Sequence, residues 1–565
     1  MILSLLIISL LSVNIHSITD FNKSKRDAIN SHAGLTQRSS LEVDFRTMVT
    51  LGEKELGQQM LDYGRIKRLR NGEYLLFYQP LKHGYHIYLS RSSDGMNWTK
   101  GERIFVGHKF TNGDGEEDDW KYATADALEL QNGDILVFCI FHSQKHYGRH
   151  LNEFGLSMKR STDGGFTWGE EKVLYNTVNW EPYPMQLPDG EILVFFTDSD
   201  HDWKPNSSGS SILRSKDNGY TWTLQKQAIR EVRDKNSRAR QLSVGTPRIN
   251  PDSVRTVFTD QMPVVCLLND TNTALCACEA VGANDRLSIT LAWEDASWPT
   301  TLTGEMTGPK KMKSMVFEGA APYLAQFPSG ETLITYGYAY FAARLGNEMG
   351  TDLEKNDEFF PFGRRQLRWG SVEVTDPHTA ITVATHTYKG ARVEKAHLLV
   401  TQMRLNHAVI APLKTIAMDG KNEDWEGVDD ALFLGSESQA QCTFRFAHDS
   451  KRLHVIVECL DTKMGKEDGL TLMFSDGIDK KSIKYAFSDV VGRKIKFADT
   501  PGVKGAGAVK KGTGYIAEFS IEKTQLPIID GKIYFNAVLY KGDTQDCFTN
   551  IGATQVEKFI QVTLE

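Results

Sequence analysis

The sequence predicts an all-β protein: a six-bladed β-propeller followed by a β-sandwich. Three observations carry this. A strand–turn–strand unit recurs through the first four hundred residues. A polar turn ending in tryptophan recurs in register with it. After about residue 412 both repeats stop and plain alternating strands take over.

The first repeat reads IKRLRNGEYLLFY (66–78), ALELQNGDILVFCIF (127–141), PMQLPDGEILVFF (184–196) and YLAQFPSGETLITY (323–336). A weaker copy, PVVCLLNDTNTALCACE (263–279), falls between the third and the last. Asn-Gly, Asp-Gly and Ser-Gly favour the positive φ that a tight hairpin needs, and the flanking runs are rich in Leu, Ile, Val, Phe and Tyr. Each copy is therefore a β-hairpin. Gly72, Gly133, Gly190 and Gly330 are spaced by 61, 57 and 140 residues, the last gap holding the weaker copy. Hairpins at that period, without helical stretches, match propeller blades. The segments at 368–388 and 397–405 then form a sixth blade with an N-terminal strand near 41–51, so both chain ends close the ring and hide its edge. The propeller is expected over residues 40–406.

The second repeat is STDGGFTW (161–168) and SKDNGYTW (215–222), with SSDGMNW (92–98) one residue short and WEDASW (293–298) as a degenerate fourth. Asp and Gly let the chain reverse, and the Trp is free to fold back and staple the turn to the neighbouring blade. The residues after 412, among them TFRFAHDSKRLHVIVECLDTK and GYIAEFSIEKTQL, alternate as in a β-sandwich, expected over 412–565.

The chain has 565 residues and a net charge of −7, with no basic excess to neutralise phosphates, so nucleic acid is not an expected partner. The opening MILSLLIISLLSVNIHS reads as a signal peptide over residues 1–17, with a secreted or periplasmic product, and no later run is long enough to span a membrane. Seven cysteines lie mostly in apolar runs and read as buried thiols; no metal or cofactor signature accompanies them. A monomer is expected.

For chemistry, two acids stand out. Glu181 sits in NWEPYPMQ between Trp180, Pro182 and Tyr183, and Glu279 ends the apolar run ALCACE. Neither is explained as a solvated surface charge. On successive blades they form a candidate pair for glycoside hydrolysis, which needs two carboxyl groups facing one pocket. Taken alone, each also reads as a structural hydrogen-bonding residue.

The tryptophan turn resembles the Asp box of sialidase-like propellers, through Ser161, Asp163, Gly165, Thr167 and Trp168 and again through Ser215, Asp217, Gly219, Thr221 and Trp222. The run WEPYxxxLPxGEILVFFTD, followed by MPVV and Glu279, is similar to the exo-α-1,5-L-arabinanase family (glycoside hydrolase family 93). That resemblance implies a retaining exo-acting enzyme, with Glu181 as acid/base and Glu279 as nucleophile, on an oligosaccharide or polysaccharide. The NDTNT turn and the CAC before Glu279 depart from the family pattern. A sialidase is the alternative. There Arg65, Arg248 and one of Arg364, Arg365 or Arg368 would hold a carboxylate, with Tyr338 as nucleophile, although Arg-Ile-Lys replaces the expected Arg-Ile-Pro. Asp126 is a candidate pocket acid under either reading. His142 is a candidate for sugar hydroxyls, and Trp180, Tyr183 and Tyr338 for stacking on sugar faces. A third possibility is a propeller that binds glycans without cleaving them. The segment from DGKNEDWEGV onward resembles family 9 carbohydrate-binding modules; Trp425 matches their early Asp-Trp pair, and packing alone also explains it.

Overall fold

A computed structural model describes residues 38–80, 84–145, 149–198, 209–229, 261–281, 287–298, 311–389, 394–435, 440–465, 468–478, 483–491, 494–510, 512–541, 544–547 and 555–565. The expected signal peptide and Arg248 lie outside the described residues.

Six sheets follow one another in chain order. Blade one holds Leu61–Arg68, Tyr74–Pro80, Ile87–Ser92 and Glu102–Phe105. Blade two holds Glu117–Glu129, Ile135–Ser143, Phe154–Ser161 and Lys172–Tyr175, with His108–Thr111 added beside its first strand. Blade three holds Asn179–Gln186, Ile192–Asp198, Gly209–Ser215 and Thr223–Ile229. Blade four holds Gln261–Leu267, Thr273–Val281, Leu287–Asp295 and Lys311–Glu318. Blade five has three strands, Ala320–Gln326, Thr332–Gly337 and Phe341–Gly346. Blade six joins Leu367–Asp376, Thr379–Lys389 and Glu394–Asn406 to the N-terminal strand Ser40–Leu51, which pairs with Glu394–Asn406 as the sequence predicts.

The tryptophan turns of blades two, three and four latch each of these blades to the one before it. Asp163 Oδ1 accepts the amides of Phe166 and Thr167, and Ser161 Oγ accepts that of Gly165; Asp217 and Ser215 repeat the pattern. Trp168 packs edge-on against Phe77 of blade one, Trp222 against Phe138 of blade two and Trp298 against Phe195 of blade three. The degenerate WEDASW turn thus keeps the packing of the motif. An arginine just before the motif serine adds a second latch. Arg91, paired with Glu73 at 2.8 Å, donates to Gly164 O. Arg160, paired with Asp134, donates to Asn218 O. Arg214, paired with Glu191 at 2.8 Å, donates to Ser297 O and Trp298 O.

The remaining strands form two sheets packed face to face. One runs Val409–Ala411, Ile560–Leu564, Lys532–Lys541, Gly469–Ser475, Ile483–Val491, Lys494–Phe497; the other runs Ala431–Gly435, Gln441–His448, Arg452–Leu460, Gly514–Glu522, Val503–Lys510. Leu432, Phe444, Phe446, Phe474, Phe519 and Phe535 fill the space between them. Trp425 is fully buried against Ile416, Val428, Ala447 and Ile456, and its Nε1 donates to Glu518 at 2.8 Å. It is a core residue and offers no face to a sugar. Among the described residues, no helix is long and apolar enough to cross a membrane.

Trp298 is only 2% exposed, so Trp298→Ala is expected to destabilise the propeller by about 3–5 kcal/mol through the cavity it leaves. Denaturant unfolding followed by near-UV circular dichroism checks this. An effect within about 0.5 kcal/mol, typical of surface positions, would show that the fourth turn is not stapled.

Candidate active site

The first strand of every blade faces the propeller axis, and every one of them breaks its ladder at the same place. The register slips between Asp62 and Arg65, Ala123 and Asp126, Trp180 and Tyr183, Gln261 and Val264, Ala320 and Tyr323, and Arg368 and Ser371. The first bulged residue is left-handed in each case: Tyr63, Thr124, Glu181, Met262, Ala321 and Trp369 have φ between +48° and +56°. Non-glycine residues rarely adopt this region, and such strain gathers where structure serves function. The second bulged residue is Gly, Ala or Pro throughout: Gly64, Ala125, Pro182, Pro263, Pro322 and Gly370. Proline has no ladder bond to give, so a bulge accommodates it.

A bulge frees an amide, and a side chain on the preceding blade receives it. Gln79 accepts Thr124 N–H at 2.7 Å, Thr197 accepts Met262 N–H at 2.9 Å, Glu279 accepts Ala321 N–H at 2.8 Å and Thr385 accepts Tyr63 N–H at 3.1 Å. These acceptors share one register position, opposite the residue that precedes the bulge in their own blade. Ile140 and Gly337 occupy that position in blades two and five. Across the six bulge positions and six capping positions, Glu181 and Glu279 are the only charged residues. Glutamine and threonine make the same cap elsewhere, so the structural bond does not require a carboxylate at 279.

The two carboxyls share one electrostatic environment. Burial and then the neighbouring Glu279 push the Glu181 carboxyl up to about 8, against the Thr197 hydroxyl and Arg65. Burial pushes Glu279 up to about 7, opposed by the Ala321 amide. Glu181 Oε2 accepts the Thr197 hydroxyl at 3.0 Å. Glu181 lines the axial hollow together with Tyr63, Asp126, Pro182, Tyr183, Met262, Pro263, Val264, Pro322 and Tyr323. The hollow is small and opens to solvent. Glu279 lies at the blade four–five seam beside it, bonded to the bulge before Pro322.

Under the hollow sits a knot of charge. Asp126 receives the Tyr323 hydroxyl at 2.9 Å, the Lys67 ammonium at 3.2 Å and Arg65 Nε at 3.9 Å. Lys67 also donates to Tyr323 at 2.7 Å. Arg65 Nη1 donates to the carbonyls of Gly64, Trp369 and Gly370, and its guanidinium lies 3.9 Å from the centre of the Tyr63 ring. Burial raises Glu373 on blade six to about 7, with Lys67 opposing the shift. Tyr183 stands edge-on to Tyr323 at 5.4 Å, its ring near Lys67.

The other sequence candidates lie elsewhere. His142 is buried and its ring is 5.7 Å from that of Trp180; neither lines the hollow. Tyr338 is 42% exposed in the turn after Thr332–Gly337 and is also outside the lining. Arg364 stacks on Phe360, and Arg368 lies over Trp369 with a 3.4 Å contact to Asp62. Among the described residues, no cluster of His, Cys, Asp and Glu is arranged to hold a metal ion. Sequence reasoning missed Thr197, Lys67, Tyr323 and Glu373. The recurrent Pro or Gly of the bulges was a signal that could have located Tyr323, which follows Pro322 directly; nothing comparable marks the other three.

No family profile and no curated protein matches the chain. Among solved structures, a protein of unknown function from Dyadobacter fermentans is similar over 65% of this chain and 100% of its own, at 16% identity and a TM-score of 0.47. Trypanosoma rangeli sialidase is similar over 88% of this chain and 93% of its own, at 9% identity and a TM-score of 0.38. A family 9 carbohydrate-binding module from Caldicellulosiruptor kristjanssonii is similar over 28% of this chain and 93% of its own, at 14% identity and a TM-score of 0.24.

The raised carboxyls make a stability prediction. A carboxyl whose folded value exceeds its unfolded one binds protons better when folded, so stability falls as pH rises from the unfolded value through the folded one. For Glu181 that window runs from about 4.3 to about 8. Glu181→Gln removes the penalty. The variant is expected to melt higher than the parent at the top of the window and to lose that advantage at the bottom. Equal melting differences at both ends would mean that Glu181 titrates normally.

Proposed function

We propose that the protein is an exo-acting, retaining glycoside hydrolase for uncharged glycans, with Glu181 as acid/base and Glu279 as nucleophile. The observation that carries this reading is the placement of the only two charged residues of the bulge-and-cap system on adjacent blades, where each bears a raised carboxyl. Both carboxyls are raised by burial, and the charge of one opposes ionisation of the other, so near neutral pH the pair keeps a proton. One protonated and one ionised carboxyl is the division of labour that glycoside hydrolysis needs. Glu181 protonates the leaving glycosidic oxygen while Glu279 attacks the anomeric carbon. Water, deprotonated by Glu181, then releases the sugar from the Glu279 ester. A small hollow lined by the part-exposed Tyr183 suits the end of a chain, and a tyrosine face suits the C–H side of a sugar ring. Arabinan is the substrate class favoured by the sequence resemblance.

The charge balance favours a neutral sugar over a sialic acid. Among the described residues, the axial cations Arg65 and Lys67 are both held by Asp126. A substrate carboxylate would have to compete with Asp126 for both cations, so the described residues offer it no uncommitted arginine fork.

Turnover of α-1,5-arabino-oligosaccharides and of sialyllactose, with product anomers followed by proton NMR, tests the proposal. Arabino-oligosaccharide cleavage with retention is expected. Glu181→Gln and Glu279→Gln should each lower kcat by at least about 100-fold. The pH–rate profile should rise as Glu279 ionises and fall as Glu181 does. Sialyllactose cleavage would move the assignment to a sialidase. Absence of turnover across neutral glycans, with retained binding, would make the propeller a lectin-like module.

A further inference from the structure

We infer that Thr197 is the positioning residue for Glu181, holding Oε2 and leaving Oε1 as the oxygen that carries the transferable proton. The inference deepens the proposed reaction and rests on Glu181 being its acid. Thr197 lies at the capping position of blade three and is 1% exposed. Its Oγ accepts the Met262 amide at 2.9 Å, an amide freed by the blade four bulge. A hydroxyl has one hydrogen to give, and here it points to Glu181 Oε2 at 3.0 Å. Thr197 both receives a bulge amide and donates to the carboxylate of a bulge residue, and so joins the two systems.

The bond also fixes the carboxyl plane. Glu181 stands on a left-handed bulge residue, its backbone held by the ladder on either side. With Oε2 engaged as an acceptor, protonation falls on the other oxygen. The charged groups that act on Glu181 are Glu279 from blade four and Arg65 from blade one. The Thr197 hydroxyl favours the ionised form, as does Arg65, while Glu279 opposes it.

The test follows the Glu181 carboxyl directly, by carbon-13 NMR titration of the full chain labelled at glutamate side-chain carbonyls, with Glu181→Gln for assignment. Thr197→Val should move the Glu181 midpoint up, by roughly half a unit to one unit. Thr197→Ser, which keeps the hydroxyl, should leave it in place. Thr385→Val removes the same kind of cap from blade six and serves as the folding control; it should also leave Glu181 in place. On arabino-oligosaccharides, Thr197→Val should lose about 10- to 100-fold in kcat with the alkaline limb displaced upward. An unmoved Glu181 midpoint in Thr197→Val, or an equal shift in Thr385→Val, overturns the inference. Unaltered turnover in Glu181→Gln would instead remove the proposed reaction, and the titration would still decide what Thr197 does.

Discussion

Each inner strand of the propeller breaks its ladder at the same residue, and the freed amide needs an acceptor. In four seams that acceptor is a side chain at one register position of the preceding blade. The rest of the site depends on this bond. It joins consecutive blades around the axis. It turns the residue after each bulge toward the centre. It also places the capping residue of one blade against the bulge residue of the next. Glu181 and Glu279 occupy these two kinds of position on blades three and four, and the charge of Glu279 acts on Glu181.

The same geometry makes the site costly to hold. Left-handed φ at non-glycine residues and carboxyls withdrawn from water both oppose folding. The latches at the opposite face offset that cost: tryptophan on phenylalanine, aspartate on turn amides, and arginine on the next turn's carbonyls. They are built from the most regular parts of the repeat, whereas the bulge positions vary from blade to blade. Stability thus resides in what repeats, and the two buried glutamates stand at positions that vary.

Much of the architecture was legible in sequence because hairpin turns and Asp boxes are local. Asn-Gly and Asp-Gly announce positive φ, and the serine–aspartate–glycine–tryptophan spacing is satisfied within one turn. The closing strand at 40–51 followed from the need to hide an edge. Glu181 and Glu279 stood out because charge beside Trp180 or after Cys278 is poorly explained by solvation. Thr197 and Lys67 did not stand out, since a threonine in a strand and a lysine between Ile66 and Arg68 look ordinary. Their roles arise only when blades meet. Arg65 misled in the other direction: its motif suggests a ligand-binding fork, yet Nη1 is spent on three backbone carbonyls and Nε faces Asp126.

The central claim is that two acids on neighbouring blades share one field. The direct measurement is the Glu181 titration midpoint in the parent chain and in Glu279→Gln. The structure predicts a Glu181 midpoint near 8 that drops when Glu279 is made neutral. A midpoint near the ordinary glutamate value of about 4.3, unmoved by Glu279→Gln, would contradict it.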